Sequence, residues 1–121
     1  MPISKILVVD DSPPERLALQ ELLTREDYQV VSAESGEQAI AASKSEKPDL
    51  SLMDVVMPGM NGYQATRTIS RKDATRDIPI IMCTSKGQET DKVWGMRQGA
   101  RDYVVKPVDP GELVQKIRAF G

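Results

Sequence analysis

The sequence predicts a doubly wound α/β domain, in which five short strands alternate with five helices around one parallel sheet. Three observations carry that prediction. First, the apolar runs are short and rich in branched residues: Ile6-Leu7-Val8-Val9, Gln29 to Ala33, Leu50 to Met53, Ile78 to Thr84 and Tyr103-Val104-Val105. Runs of this kind suit strands buried on both faces. Second, each run is followed by space for a single helix, and regular strand–helix alternation implies parallel pairing with right-handed crossovers. Third, the runs end in polar residues of a consistent kind: Asp10-Asp11, Asp54, Thr84 and Lys106.

In chain order, Ser12-Pro13-Pro14-Glu15 opens the first helix. Ser12 suits the N-cap, proline the first helical position, and Glu15 the partner position of a capping box. Leu17, Leu19, Leu22 and Leu23 then supply an apolar face as far as Arg25. The second helix follows the break at Ser35-Gly36, with Ala39, Ile40 and Ala42 as its small apolar positions, and Lys47-Pro48 ends it. The central stretch Asp49 to Gly62 delivers Asp54 to the carboxyl end of the third strand. Met57-Pro58-Gly59 then turns the chain, and Asn61-Gly62 leads into a third helix from Tyr63 to about Ser70 or Lys72. Ala65, Thr66 and Ile69 face inward on that helix. The polar segment from Lys72 to Asp77 is a loop before the fourth strand. The fourth helix, Gln88 to Gln98, is weak: it has few apolar positions, and Gly95 inside it costs about 1 kcal/mol relative to alanine. Gly99-Ala100 turns into the fifth strand, and Pro110 starts the last helix, with Leu113, Val114, Ile117 and Phe120 buried.

At 121 residues the chain is expected to be a single domain, 1–121, without a second output domain. A net charge of −2 argues against a nucleic-acid partner, which usually meets a basic face. No apolar run is long enough for membrane insertion, and the start lacks a signal peptide's apolar segment. One cysteine cannot make an internal disulfide, which fits a cytoplasmic setting. The absence of histidine removes His-based general-base catalysis and His-ligated zinc. Chemistry must then run on carboxylates, lysine, hydroxyls and oxygen-seeking metals.

In a parallel sheet the polar strand ends share one rim and should converge. Taken singly, Asp10 or Asp11 reads as a helix-end acid, Thr84 as an ordinary strand residue and Lys106 as a solvated lysine. Together they read as a site. Three clustered carboxylates repel one another unless a cation joins them, and Mg²⁺ suits an all-oxygen set. A carboxylate such as Asp54 can take a phosphoryl group as an aspartyl phosphate, with Lys106 and Thr84 stabilising the phosphoryl oxygens. No glycine-rich phosphate cradle is present, so the phosphoryl donor must come from elsewhere.

The motifs Val-Val-Asp10-Asp11-Ser, Leu-Met-Asp54-Val-Val-Met-Pro58-Gly, Thr84-Ser and Tyr103-Val-Val-Lys106-Pro107 resemble, in order and spacing, the receiver domain of bacterial two-component response regulators. The resemblance spans the whole chain and is nearest to single-domain CheY-like regulators. Tyr63 to Arg67 and Gln88 to Tyr103 are similar to the PilH-type group that serves type IV pilus twitching motility and phototaxis. The resemblance implies a flavodoxin-like (βα)5 fold with strand order 2-1-3-4-5. It implies that Asp54 accepts a phosphoryl group from a CheA-like sensor histidine kinase in the bacterial cytoplasm. Asp11, Asp54 and the backbone carbonyl of Val56 would ligate Mg²⁺ directly, and Asp10 through water. Thr84 would move towards the phosphoryl group and Tyr103 turn inward, changing the affinity of the helix 4/strand 5/helix 5 face for an unnamed protein target. Trp94 and Tyr103 are candidates for that face, although either can simply be packed. Val56 and Lys86 are candidates for tuning the lifetime of the phosphoryl group, since Val56 offers no polar group to orient a water. The chain is expected to be a monomer or weak dimer.

Three rival readings have distinct requirements. A Mg²⁺-dependent phosphohydrolase acting through an aspartyl phosphate needs an acid two residues beyond the nucleophile, where Val56 stands. Turnover on external substrates is therefore not expected; only self-phosphorylation from a donor and autodephosphorylation are. A flavodoxin-like cofactor binder needs a phosphate cradle where Asp-Asp-Ser-Pro-Pro stands. A phosphate sink or relay without a target of its own has the same sequence requirements as a switch.

Overall fold

Five strands, Lys5–Val9 (β1), Gln29–Ala33 (β2), Leu50–Asp54 (β3), Ile80–Thr84 (β4) and Asp102–Val105 (β5), alternate with five helices. The helices are Pro13–Arg25 (α1), Gly36–Ser45 (α2), Gly62–Arg71 (α3), Glu89–Arg97 (α4) and Pro110–Arg118 (α5). This computed structural model describes residues 2–85 and 89–121, with side chains placed at 2–85 and 92–121. The strands form one parallel sheet in the order β2-β1-β3-β4-β5, as the resemblance implies.

Period-2 alternation sends successive side chains of each strand to opposite faces, and the sheet accordingly divides the core in two. Ile6, Val8, Leu50, Leu52, Ile81 and Val104 pack with Leu19 and Leu23 of α1 and with Leu113 and Ile117 of α5. Leu7, Val9, Met53, Ile80 and Met82 pack on the other face, against Ala39 of α2 and Ala65 and Ile69 of α3. β3 and β4, central in the sheet, are buried along their whole lengths.

Three expectations need correction. Leu17 does not belong to the inward face of α1: it is 54% exposed, while Leu19 and Leu23 are buried and Leu22 partly so. Helix periodicity puts residues 19 and 23 on one face and turns 17 away from it. Ile78 and Pro79 precede β4 rather than open it, because the Ile78 N–H closes a turn on the Thr75 carbonyl (3.1 Å). Phe120 lies just beyond α5 and is only partly buried against the first core layer.

The inward positions of α3 are as expected: Ala65, Thr66 and Ile69 are buried, and the Thr66 hydroxyl donates to Met82 Sδ at 3.3 Å. Asn61 caps this helix by accepting from the Gln64 N–H, while the Gln64 side chain accepts from the Asn61 N–H, both at 2.9 Å. Gly95, unfavourable by propensity, has a packing role: a β-carbon there would lie 3.3 Å from Met82 and 3.5 Å from Tyr63. The glycine lets α4 lie close over β4 and α3.

Candidate functional site

The strand register brings the polar ends to one rim. Val9 stands beside both Ala33 and Met53, Asp54 beside Cys83, and Thr84 beside Val105. The residues that follow therefore meet above the sheet. Asp10 and Asp54 continue the alternation of the layer facing α1 and α5. Thr84 continues that of Ile80 and Met82, towards α3 and α4.

Lys106 is the hub. Its Nζ donates to Glu15 Oε2 at 2.8 Å, Asp54 Oδ1 at 2.9 Å and Asp10 Oδ2 at 3.2 Å. Its backbone N–H is fixed to the Thr84 carbonyl at 2.7 Å, which ties the end of β5 to β4. Burial alone would lower the Lys106 pKa. The hydrogen bonds to Glu15 and Asp54 and the surrounding carboxylates outweigh it, and the ammonium is held charged well above its ordinary range.

Asp10 is buried. Its backbone N–H donates to the Ala33 carbonyl, and its Oδ1 accepts from the Ser12 N–H at 2.9 Å. Arg16 Nη1 donates to its backbone carbonyl at 2.7 Å, and Arg16 Nη2 pairs with Glu34 at 3.4 Å. Burial raises the Asp10 pKa against the lowering effect of the Ser12 hydrogen bond and Lys106. Asp54 is likewise buried, and its pKa rises from 3.8 to about 6. Desolvation is the main cause; Asp10 and Asp11 add repulsion, and Lys106 offsets only part of the rise. The loop after β3 passes close by. The Gly62 N–H donates to the Val55 carbonyl at 2.9 Å, and a β-carbon at Gly62 would overlap the Asp54 backbone carbonyl oxygen. Position 62 thus requires glycine for this close contact.

Carboxylate oxygens of Asp10, Asp11 and Asp54 lie within 4.8 Å of one another. Two of these acids are buried and Asp11 is exposed, so the cluster opens to water on one side. An all-oxygen donor set, with negative charge in excess of what Lys106 neutralises, fits a hard divalent cation such as Mg²⁺. Thr84 is buried on the same rim. The Val56 side chain is 65% exposed, and Lys86 lies outside the described residues. Behind the rim, Tyr103 is half-buried, with the Lys92 ammonium 4.6 Å and the Lys116 ammonium 4.9 Å from its ring centre. Lys116 also donates to the Tyr103 carbonyl and to Asp102 Oδ1. Trp94 is 50% exposed on α4, beside exposed Val93 and Met96, and is not a core residue.

Sequence reasoning missed Glu15. Its spacing from Ser12 suggested a capping box, but the Ser12 side chain makes no capping hydrogen bond and Glu15 reaches Lys106 instead. A second clue was available: an acid in the first turn of α1, immediately above the rim, has a rim lysine to attract it. The Glu15 pKa is lowered, chiefly by the hydrogen bond from Lys106. Beside this contact a groove of about 360 Å³ runs between α1 and the segment after β5, lined by Glu15, Leu19, Leu22, Arg25, Lys106 and Val108 among others.

An open α/β sheet with a lysine-bridged carboxylate cluster at its carboxyl rim defines a receiver domain, and the chain belongs to the response regulator receiver domain family, whose model matches residues 6–118. Receiver domains take phosphoryl groups from histidine kinases and bind downstream partners. The chain is 52% identical over 117 residues to the protein PilH of Pseudomonas aeruginosa, covering 97% of each. The chemotaxis protein CheY4 of Vibrio cholerae superposes with a TM-score of 0.92 at 28% identity, over 98% of this chain and 99% of that one. The receiver domain of the sensor histidine kinase PA1611 of Pseudomonas aeruginosa, solved with a magnesium ion in its active-site cleft, superposes with a TM-score of 0.90 at 30% identity, over 97% and 96%. No helix among the described residues is long and apolar enough to cross a membrane.

Proposed function

We propose that the chain is a phosphorylation switch in which Asp54 accepts a phosphoryl group from the phosphohistidine of a CheA-like sensor histidine kinase. The observation that carries this reading is the Lys106 ammonium, 2.9 Å from Asp54 Oδ1 on a rim shared with two further acids and Thr84. Asp54 Oδ attacks phosphorus, and the bond to the histidine nitrogen breaks. Lys106 and the Thr84 hydroxyl hold the phosphoryl oxygens. Asp11, Asp54 and the Val56 carbonyl would hold Mg²⁺, with Asp10 acting through water. When bound, the ion neutralises charge on the transferring group. The chain turns over no external substrate, since Val56 supplies no acid/base group.

The surface that changes is formed by α4, β5 and α5. Tyr103 between two lysines and the exposed Trp94 lie there, and the net charge of −2 supports a protein target rather than nucleic acid. Identity of 52% to PilH supports a place in type IV pilus motility or taxis signalling within the bacterial cytoplasm. The test is intact mass after incubation with acetyl phosphate, with and without Mg²⁺, beside Asp54→Asn. A single Mg²⁺-dependent phosphoryl adduct absent from the variant is expected. An adduct retained by the variant would overturn the assignment of Asp54.

A further inference from the structure

Glu15 is the one group on Lys106 for which phosphoryl acceptance has no use. An ammonium has three N–H donors, and those of Lys106 are taken by Glu15, Asp54 and Asp10 at 2.8, 2.9 and 3.2 Å. A phosphoryl group on Asp54 brings new acceptor oxygens to the same place, so Lys106 must release a partner to bind one. Asp10 is badly placed to leave, being buried and held by the Ser12 N–H. Asp54 carries the phosphoryl group itself. The Glu15 side chain is 52% exposed on the first turn of α1, and the adjoining groove gives it somewhere to go.

Resting on the phosphoacceptor reading above, we propose that Glu15 is a positioning residue that restrains Lys106. It holds the ammonium in the unphosphorylated chain, competes with the phosphoryl oxygens for it, and so slows transfer from freely diffusing anionic donors. An approaching dianion meets the Glu15 carboxylate in addition to Asp10, Asp11 and Asp54. A protein donor that sets a cation beside Glu15 lifts the restraint, so the contact favours transfer from a docked protein over transfer from small metabolites.

The test compares adduct formation by intact mass in wild type, Glu15→Gln and Glu21→Gln. Glu21→Gln removes the same charge from the same helix, away from Lys106. In the reaction with acetyl phosphate, Asp54 Oδ bonds to phosphorus and the acetyl O–P bond breaks, with acetate leaving with its electron pair. Glu15→Gln is expected to react about fivefold to tenfold faster, the order for removing one partly screened charge. The gain should be smaller with phosphoramidate, which carries less negative charge, and Glu21→Gln should match wild type. Tighter binding of beryllofluoride to Glu15→Gln, read by fluorine NMR, is the second expected result. A rate equal to or below wild type, an equal gain in Glu21→Gln, or a drop in melting temperature without a rate change would each overturn the restraint. If wild type gains an adduct and Glu15→Gln is no faster, only the role of Glu15 falls. If neither wild type nor Glu15→Gln gains an adduct, the phosphoacceptor reading falls and takes the restraint with it.

Discussion

Replacing Asp54 with asparagine should make the fold more stable at neutral pH, although it removes the residue on which the site depends. The Asp54 pKa is raised from 3.8 to about 6, so the folded chain binds that proton more tightly than the unfolded chain does. Between these values the folded state carries the extra proton, and stability falls as pH rises through the window. Below about pH 4 the penalty is absent, and above about pH 6 it is fully present. A shift of about 2 units corresponds to roughly 3 kcal/mol at neutral pH. Asparagine keeps an oxygen for Lys106 and mimics the protonated acid, and the raised pKa already nets the Lys106 attraction against burial. The expectation is a gain of about 2 to 3 kcal/mol, or a urea midpoint higher by about 1 to 2 M. Urea unfolding of both proteins in chelator, from pH 4 to pH 8, measures it; chelation matters because a divalent ion would relieve the same repulsion. The gap should be constant above about pH 6 and close towards pH 4. Equal midpoints at pH 7, or a gap unchanged down to pH 4, would refute the reasoning.

Gly62→Ala should cost about 2 kcal/mol or more, because its β-carbon overlaps the Asp54 carbonyl and must displace backbone; a melting temperature within 2 °C of wild type would count against it. Ser51→Ala should stabilise by about 1 kcal/mol, since the buried Ser51 hydroxyl in β3 has no hydrogen-bond partner among the described residues; denaturant midpoints decide. Val56→Asn should shorten the life of the phosphoryl group on Asp54 by placing an amide where a water can be oriented, and timed loss of the adduct mass, unchanged from wild type, would sink that idea.

The parts of the site carried by strand ends were legible because two independent signals agreed there. Apolar runs located the strands, and a parallel sheet forces their ends onto one rim, so Asp10, Asp54, Thr84 and Lys106 could be brought together without coordinates. Glu15 was hidden because one spacing serves two purposes: three residues after Ser12 suits a capping box, and it also suits a reach to Lys106. Only the competition between the Ser12 N–H and a buried-rim ammonium decides, and the N–H is already engaged by Asp10. Leu17 was misplaced for a related reason. Four leucines within seven residues satisfy an apolar face loosely, and only the actual direction of α1 shows which of them misses the sheet. Gly95 looked like a weakness because propensity counts backbone entropy alone, whereas the close approach of α4 to Met82 and Tyr63 supplies its reason.

The sheet's two core layers also sort the rim residues by side. Asp10, Asp54 and Glu15 lie with α1 and α5, whereas Thr84 and Tyr103 lie with the opposite layer beside α4. Lys106 bridges the two sides, since its backbone N–H holds the Thr84 carbonyl while its ammonium holds Asp54, Asp10 and Glu15. A displacement of that one residue is therefore felt on both faces of the sheet at once.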